Sequence, residues 1–208
     1  MAPAGDGERT LSAGGHRHAQ TLVSEVDRVF RDLNLQPSDI RSVAVSIGPG
    51  SFTGVRVGLV FAKTFAWLNQ AKLVAVDTLQ AIAQQVPFET ETVTVISDAQ
   101  RGELFTANYV RDAESGCRQR TVNVHLSTVE SLSTEYPLVG PALLKLRTRL
   151  QETHQLLDEA YCQPTASAVA RIGLDMVRRG QLSVPETLEP VYIRPSYAEE
   201  KRDRPQTL

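Results

Sequence analysis

The sequence predicts an α/β protein of two lobes, and three observations carry that prediction. From Ser42 to Phe65, SVAVSIGPGSFTGVRVGLVFAKTF, a β-branched run passes through a Gly-Pro-Gly turn straight into a helix. The alternation then repeats, with a strand pattern over Lys72–Val76 and a helix pattern over Thr78–Val86. Beyond Pro87 the pattern changes to strands separated by a short polar turn, Asp98 to Gly102, and then to helices. Strand, helix, strand, helix in the first part implies a parallel unit with a right-handed crossover.

Taken in order, residues 1–15 are rich in Gly, Ala and Pro and offer little to bury, so they are expected to be weakly structured. Leu22, Val26, Val29, Phe30 and Leu33 recur at helical spacing, which predicts an amphipathic helix from His18 to Leu33, ended by Leu35-Gln36-Pro37-Ser38. A strand over Ser42–Ile47 precedes Gly48, Pro49 and Gly50, where side chains with a Cβ would obstruct the turn. Ser51 is placed to cap the next helix, which reaches about Asn69. Gly54 and Gly58 lie one turn apart on it, each costing about 1 kcal/mol of helix propensity against Ala, so a packing or contact role is expected.

In the second part, strands are expected over Thr92–Ser97, Leu104–Val110 and Thr121–Val124. Helices are expected over Thr128–Thr134, Pro141–Glu152 and Ala166–Arg179, with Gly180 as a C-terminal stop. A brief extended piece, Val191-Tyr192-Ile193, precedes a charged tail. The lobes are therefore read as residues 16–87 and 88–208, with no internal repeat.

The chain has 208 residues, enough for a sizeable core, and a net charge of −2. No global field draws it to nucleic acid or to an anionic membrane, so any RNA contact has to be local. Arg171, Arg178 and Arg179, with Lys201, Arg202 and Arg204, read as solvated faces or as a modest basic patch. Its two cysteines, Cys117 and Cys162, have no metal-ligand spacing, and a reducing cytoplasm is the expected setting. No apolar run reaches the roughly eighteen residues a bilayer-spanning helix needs.

The glycine turn admits two readings. Free N–H groups at a helix start favour an anion, yet a dinucleotide fingerprint would need Gly where Thr53 stands, and the chain contains no Gly-Lys-Ser/Thr for a P-loop. A structural turn is the preferred reading. Asp77 is placed either to cap the helix at Thr78 or to imitate a ribose-binding acid, with capping preferred. His16 and His18 are two apart and cannot share a metal as an i, i+4 pair would, and His125 and His154 are isolated. Asp98, Arg101 and Glu103 form a charged turn that either positions a polar partner group or is a solvated tip. No nucleophile with a neighbouring base, no HxxxH and no CxxC occurs, so no catalytic, metal or cofactor site of the chain's own is expected.

SIGPGSFTGVRVGLVFAKTFAW, VAVDTLQAIA, SDAQRGELFTANY and PVYIRPSYAEEKR, in that order, resemble the TsaB (YeaZ) family from about Glu8 to Arg202. The resemblance implies a two-lobed actin/sugar-kinase-like (RNase H-like) fold. It also implies a non-catalytic scaffold that binds the catalytic subunit TsaD, in a complex that places threonylcarbamoyl on the adenosine beside a tRNA anticodon. The TsaE ATPase, tRNA through the complex, and a homodimer through the same helices are the further partners it implies, with ATP or ADP at the partner interface. Carried over residue by residue, the docking face would use His18, Leu22 and Val26 from the first helix and Phe52, Gly54, Val55, Arg56, Gly58 and Leu59 from the second. Two alternatives stay open: a small ATPase of the same superfamily, and a peptidase homologue. Family members open with an ILAIDTS-like strand and a second strand, absent before Glu8 here. The first strands of the N-terminal lobe are thus expected to be missing, leaving Ser42–Ile47 with an unpaired apolar edge. A start placed downstream of the true one, or a partner that covers the gap, would account for this.

Overall fold

The computed structural model describes residues 18–113, 116–191 and 193, and for 18–20 the main chain alone. The expected weak start, Tyr192 and the charged tail lie outside the described residues. The described residues divide into two compact units: 18–47 with 51–76 and 164–189, and 48–50 with 77–113, 116–163, 190, 191 and 193. The boundary expected near Pro87 thus falls between Val76 and Asp77, and the last helix joins the first unit instead of the second.

The first unit holds α1 (His18–Asp32), β1 (Ser42–Ser46), α2 (Phe52–Leu68), β2 (Lys72–Val76) and α5 (Ala166–Arg178). β1 and β2 pair in parallel from Ser42 opposite Lys72 to Ser46 opposite Val76. α2 buries Leu59, Ala62 and Ala66 and packs with Leu73, Val43 and Val45. α5 buries Ala168, Ile172 and Gly173 and packs on both strands, which is why the last helix belongs here. The outer edge of β2 is blunted by Ser183, whose N–H donates to the Leu73 carbonyl at 2.8 Å and whose Oγ accepts from Ala75 N at 3.0 Å. β1 pairs with a strand on one side only among the described residues.

In the second unit, α3 (Thr78–Gln85) precedes a sheet of β3 (Thr92–Asp98), β4 (Glu103–Arg111), β5 (Arg118–Arg120), β6 (His125–Thr128) and β7 (Leu138–Val139), with α4 at Leu143–Leu150. The order is β5-β4-β3-β7, and β6 pairs with the other end of β4. β3 and β4 form the expected hairpin, and β7 lies parallel to β3. Val93, Val95, Ile96, Ala107 and Leu138 form the centre of its core, all fully buried.

Two expected elements differ. Thr121–Val124 is not a strand: the chain pairs with β4 as β5 before it and as β6 after it, and this stretch is the bulge between the two registers. Thr128–Thr134 is a single 3₁₀ turn at Val129–Ser131. Ser131 Oγ both donates to the Thr128 carbonyl and accepts its N–H, at 3.0 Å each, and Ser133 Oγ accepts from Glu135 N at 3.2 Å. These local bonds compete with a helical ladder.

Asp77 takes the capping role. Its Oδ1 accepts from Gln80 N at 2.8 Å and from the Tyr109 hydroxyl at 3.2 Å, and its Oδ2 pairs with Arg120 Nη1 at 3.2 Å. Burial first, and then the Asp77 carboxylate, push the Tyr109 phenol far above its ordinary range. Asp77→Ala is expected to lower the unfolding free energy by about 2–4 kcal/mol in urea titration, since it removes a cap and strands a buried hydroxyl. Asp77→Asn, which keeps an oxygen acceptor, should recover about half of that loss.

Candidate functional site

The Gly48-Pro49-Gly50 turn does not hold open amides at Gly48. Gly48 N–H donates to Thr78 Oγ1 at 3.1 Å, and its carbonyl accepts from Thr78 N at 2.9 Å. Gly48 has φ +107°, and a Cβ there would lie 3.2 Å from the Val191 carbonyl oxygen, so glycine answers a backbone need at this place. Ser51 caps α2 as expected, accepting from Gly54 N at 3.3 Å, with Val55 N bonded to its carbonyl at 2.9 Å.

Helical geometry sorts α2 into faces. Leu59, Ala62 and Ala66 turn inward, and on a flank the Phe65 ring stacks on Phe30 of α1 with centroids 5.8 Å apart and packs on Phe61 at 5.9 Å. The opposite side carries Thr53, Arg56, Val60, Thr64 and Trp67 at spacings of three and four, a stripe that runs the length of the helix. Val60 is 64% exposed, Trp67 72% and Leu68 65%. α2 carries no acidic residue, only Arg56 and Lys63 as charges. The Arg56 guanidinium lies 3.9 Å from the centre of the Phe52 ring, a cation–π contact between two exposed side chains.

The sequence-predicted residues distribute unevenly over these faces. Phe52, Gly54 and Arg56 are exposed; Leu22 and Val26 on α1 and Val55 and Gly58 on α2 are half-buried. The side chain of His18 lies outside the described residues. Leu59 is a correction: at 3% exposure it is a core residue, held inward by its place on the Leu59-Ala62-Ala66 face, and it has no surface to offer. A Cβ on Gly58 would meet nothing within 4 Å among the described residues, and one on Gly54 would meet only its own cap, Ser51. Neither glycine is spent on packing within this chain's described part. Val60, Trp67 and Leu68, with Val23 on α1 at 63% exposure, were missed by the sequence reading. The signal for Val60 and Trp67 was present, since they continue the helical repeat begun at Arg56.

Near the end of α2, Ala66, Trp67, Leu68, Gln70, Ala71 and Pro185 line an open groove of about 550 Å³. Among the described residues no three His, Cys, Asp or Glu side chains are grouped as a metal site would need, and no helix is long and apolar enough to cross a membrane. Cys162 is fully buried, and burial raises its thiol pKa.

An α/β chain of two compact units, with a helix of the first unit exposing an apolar stripe, is the kind of protein these features define. The family profile described as "TsaD: tRNA N6-adenosine threonylcarbamoyltransferase" matches residues 12–174, and the chain belongs to this family. It is 29% identical over 194 residues to the tRNA threonylcarbamoyladenosine biosynthesis protein TsaB of Escherichia coli, covering 88% of this chain and 84% of that one. It is 34% identical over 92 residues to TsaB of Bacillus subtilis, a match that spans 44% of this chain and 40% of the relative's length. Among solved structures, "YeaZ from Pseudomonas aeruginosa" superposes with a TM-score of 0.72 at 22% identity, covering 84% of each chain. A second, titled an uncharacterized protein with similarity to peptidase YEAZ from the same organism, gives 0.75 at 23%, covering 85% of this chain and 84% of that one.

Proposed function

We propose that the chain is a non-catalytic subunit in tRNA threonylcarbamoyladenosine biosynthesis, and that it docks on a TsaD-type catalytic subunit through α2 and the adjoining part of α1. The observation that carries this reading is the exposed stripe of α2, where Val60 and Trp67 lie bare; on another side of the same helix Gly58 leaves room for an approaching backbone. Helices approach closely where one of them lacks side chains, and a large aromatic residue in an apolar patch is the usual anchor of such an interface. In this reading TsaE and tRNA engage the assembled complex, and ATP or ADP belongs to the joint surface instead of to this chain. A homodimer through the same face is the competing occupant.

The test is calorimetric titration of the chain with the catalytic subunit from the same source. Gly58→Leu, Val60→Asp and Trp67→Ala are each expected to weaken association by about 2 kcal/mol or more, roughly thirtyfold, with little change in thermal stability. Leu59→Ala should do the reverse, costing about 2–5 kcal/mol of stability as a core truncation while the docking face is unchanged in composition. Wild-type chain that fails to bind the catalytic subunit sinks the proposal. Wild-type binding with all three surface variants unaffected removes α2 from it.

A further inference from the structure

The turn that leads from α3 into β3 carries a bare aromatic side chain on a firm base. Thr90 N–H donates to the Pro87 carbonyl at 3.2 Å, so Phe88 and Glu89 form the corner of a four-residue turn. Two guanidiniums hold its main chain. Arg111 donates to the carbonyls of Phe88 at 3.1 Å, Pro87 at 3.0 Å and Val86 at 3.4 Å. Arg118, itself fully buried, donates to those of Pro87, Thr90 and Glu91. Burying a cation is costly, and here it fixes a surface turn. The Arg111 guanidinium also lies 4.4 Å from the centre of the Phe88 ring, yet Phe88 stays 71% exposed. Glu89 and Glu91 are exposed as well, and neither carboxylate has an ion-pair partner among the described residues. The turn is thus a pre-set aromatic knob with two uncompensated negative charges.

A surface of opposite charge occurs on α5. Arg171, Leu174 and Arg178 are exposed at spacings of three and four, hence on one face of that helix, and Leu174 is 48% exposed. Asp175, the one acid on α5, pairs with Arg179 at 2.9 Å, and neither Arg171 nor Arg178 pairs with a described carboxylate. Arg178 suits the end of the helix dipole, a reason that does not extend to Arg171 in mid-helix. One surface is aromatic with two acids, the other aliphatic with two arginines, so each supplies what the other lacks. We infer that the Phe88 turn of one copy of this chain docks on the Arg171-Leu174-Arg178 face of a second copy, with Phe88 on Leu174 and Glu89 and Glu91 taken by the two guanidiniums. An Arg fork takes a carboxylate through two parallel N–H···O bonds, and a pre-set turn lowers the entropy lost on binding. A contact between unlike patches is heterologous and adds copies head to tail. A turn on one helix face buries less than the roughly 1,200 Å² of a stable interface, so the association is weak, reversible and salt-sensitive. Neither patch contains a residue of the α2 stripe, so this self-association is independent of docking on the catalytic subunit. Two arginines also fall short of the run of cations that a nucleic-acid backbone takes.

Sedimentation equilibrium of the full chain tests this contact. At about 50 mM salt the wild type is expected to self-associate with a Kd of about 0.1–1 mM, and at about 0.5 M salt at least tenfold more weakly. Phe88→Ala should weaken association at least tenfold. Glu89→Lys with Glu91→Lys, and separately Arg171→Glu with Arg178→Glu, should each leave the chain monomeric, because like charges then face each other. Mixing those two doubly substituted chains should restore association to near the wild-type level. The native carboxylates of one chain then meet the native arginines of the other, and the reversed groups meet with opposite sign. A misfolded chain could not rescue its partner in this way. Wild type that stays monomeric at about 1 mM protein and low salt overturns the contact. So does a mixture of the two charge-reversed chains that stays monomeric. Association lost in Trp67→Ala but kept in Phe88→Ala and in both charge reversals assigns it to the α2 face and overturns the pairing of these patches. Unchanged self-association with weaker tRNA binding in the Arg171→Glu, Arg178→Glu chain assigns the arginines to RNA and overturns it equally.

Discussion

Gly140→Ala is expected to destabilise the second unit by more than about 3 kcal/mol, and no compensating side-chain change nearby should rescue it. Gly140 follows β7 directly and has φ +126°, a region closed to residues with a Cβ. A Cβ there would also overlap the carbonyl oxygen of Ile96, a residue at the centre of β3 with no exposure. Both objections come from backbone, so trimming a neighbour cannot relieve them. The Gly140 carbonyl accepts from Leu143 N at 3.0 Å as α4 begins, so a shift at Gly140 moves the start of that helix too. Since whole domains are stable by only about 5–15 kcal/mol, the variant should show a large drop in denaturation midpoint, or accumulate as insoluble chain. A midpoint within error of wild type would contradict the packing described for β3 and β7.

Much of the first unit was legible because its signals are local. The runs of β1 and β2 and the Ser51 cap lie within a few residues of what they control, as does the Asp77 cap that opens the second unit, and α1, β1, α2, β2 and α3 each fall within two residues of their expectation. What was not legible depended on distant partners. β5 reads Arg-Gln-Arg, with no apolar signal, yet Arg118 is fully buried. Its guanidinium donates to the carbonyls of Glu91 at 3.0 Å, Pro87 at 3.3 Å and Thr90, so this strand is tied down by charge-assisted bonds. Burial, and then the neighbouring Arg111, push the Arg118 pKa down to about 10. β7 is only two residues long, too short for alternation to register. On α2, the glycine spacing drew attention to the helix but not to which of its residues face outward. Leu59 and Val60 are adjacent in sequence and opposite in exposure, and only the full helical repeat separates them.

Gly173→Ala, in contrast to Gly140→Ala, is expected to be costly and rescuable. A Cβ on Gly173 would overlap the Cβ of Ala44 on β1, with the next neighbours, Ala44 Cα at 3.6 Å and Val76 Cγ2 at 4.0 Å, at ordinary packing distance. Ala has no rotamer to turn away, so α5 and β1 must separate or the strand must bend. Alanine adds about 1 kcal/mol of helix propensity, while overpacking costs about 1–3 kcal/mol. The overlap should win, for a net loss of up to about 2 kcal/mol, and Gly173→Leu should lose more than about 3 kcal/mol. Ala44→Gly removes the obstructing Cβ, so the Ala44→Gly, Gly173→Ala pair should recover most of the loss in a double-mutant cycle. Gly58→Leu is the matched control on α2. Its Cβ meets open space among the described residues, so the same class of substitution should leave stability nearly unchanged and act on partner affinity instead. A Gly58→Leu chain as unstable as the Gly173→Leu chain would mean that the α2 glycines serve packing within the chain. The docking face would then lose its main support.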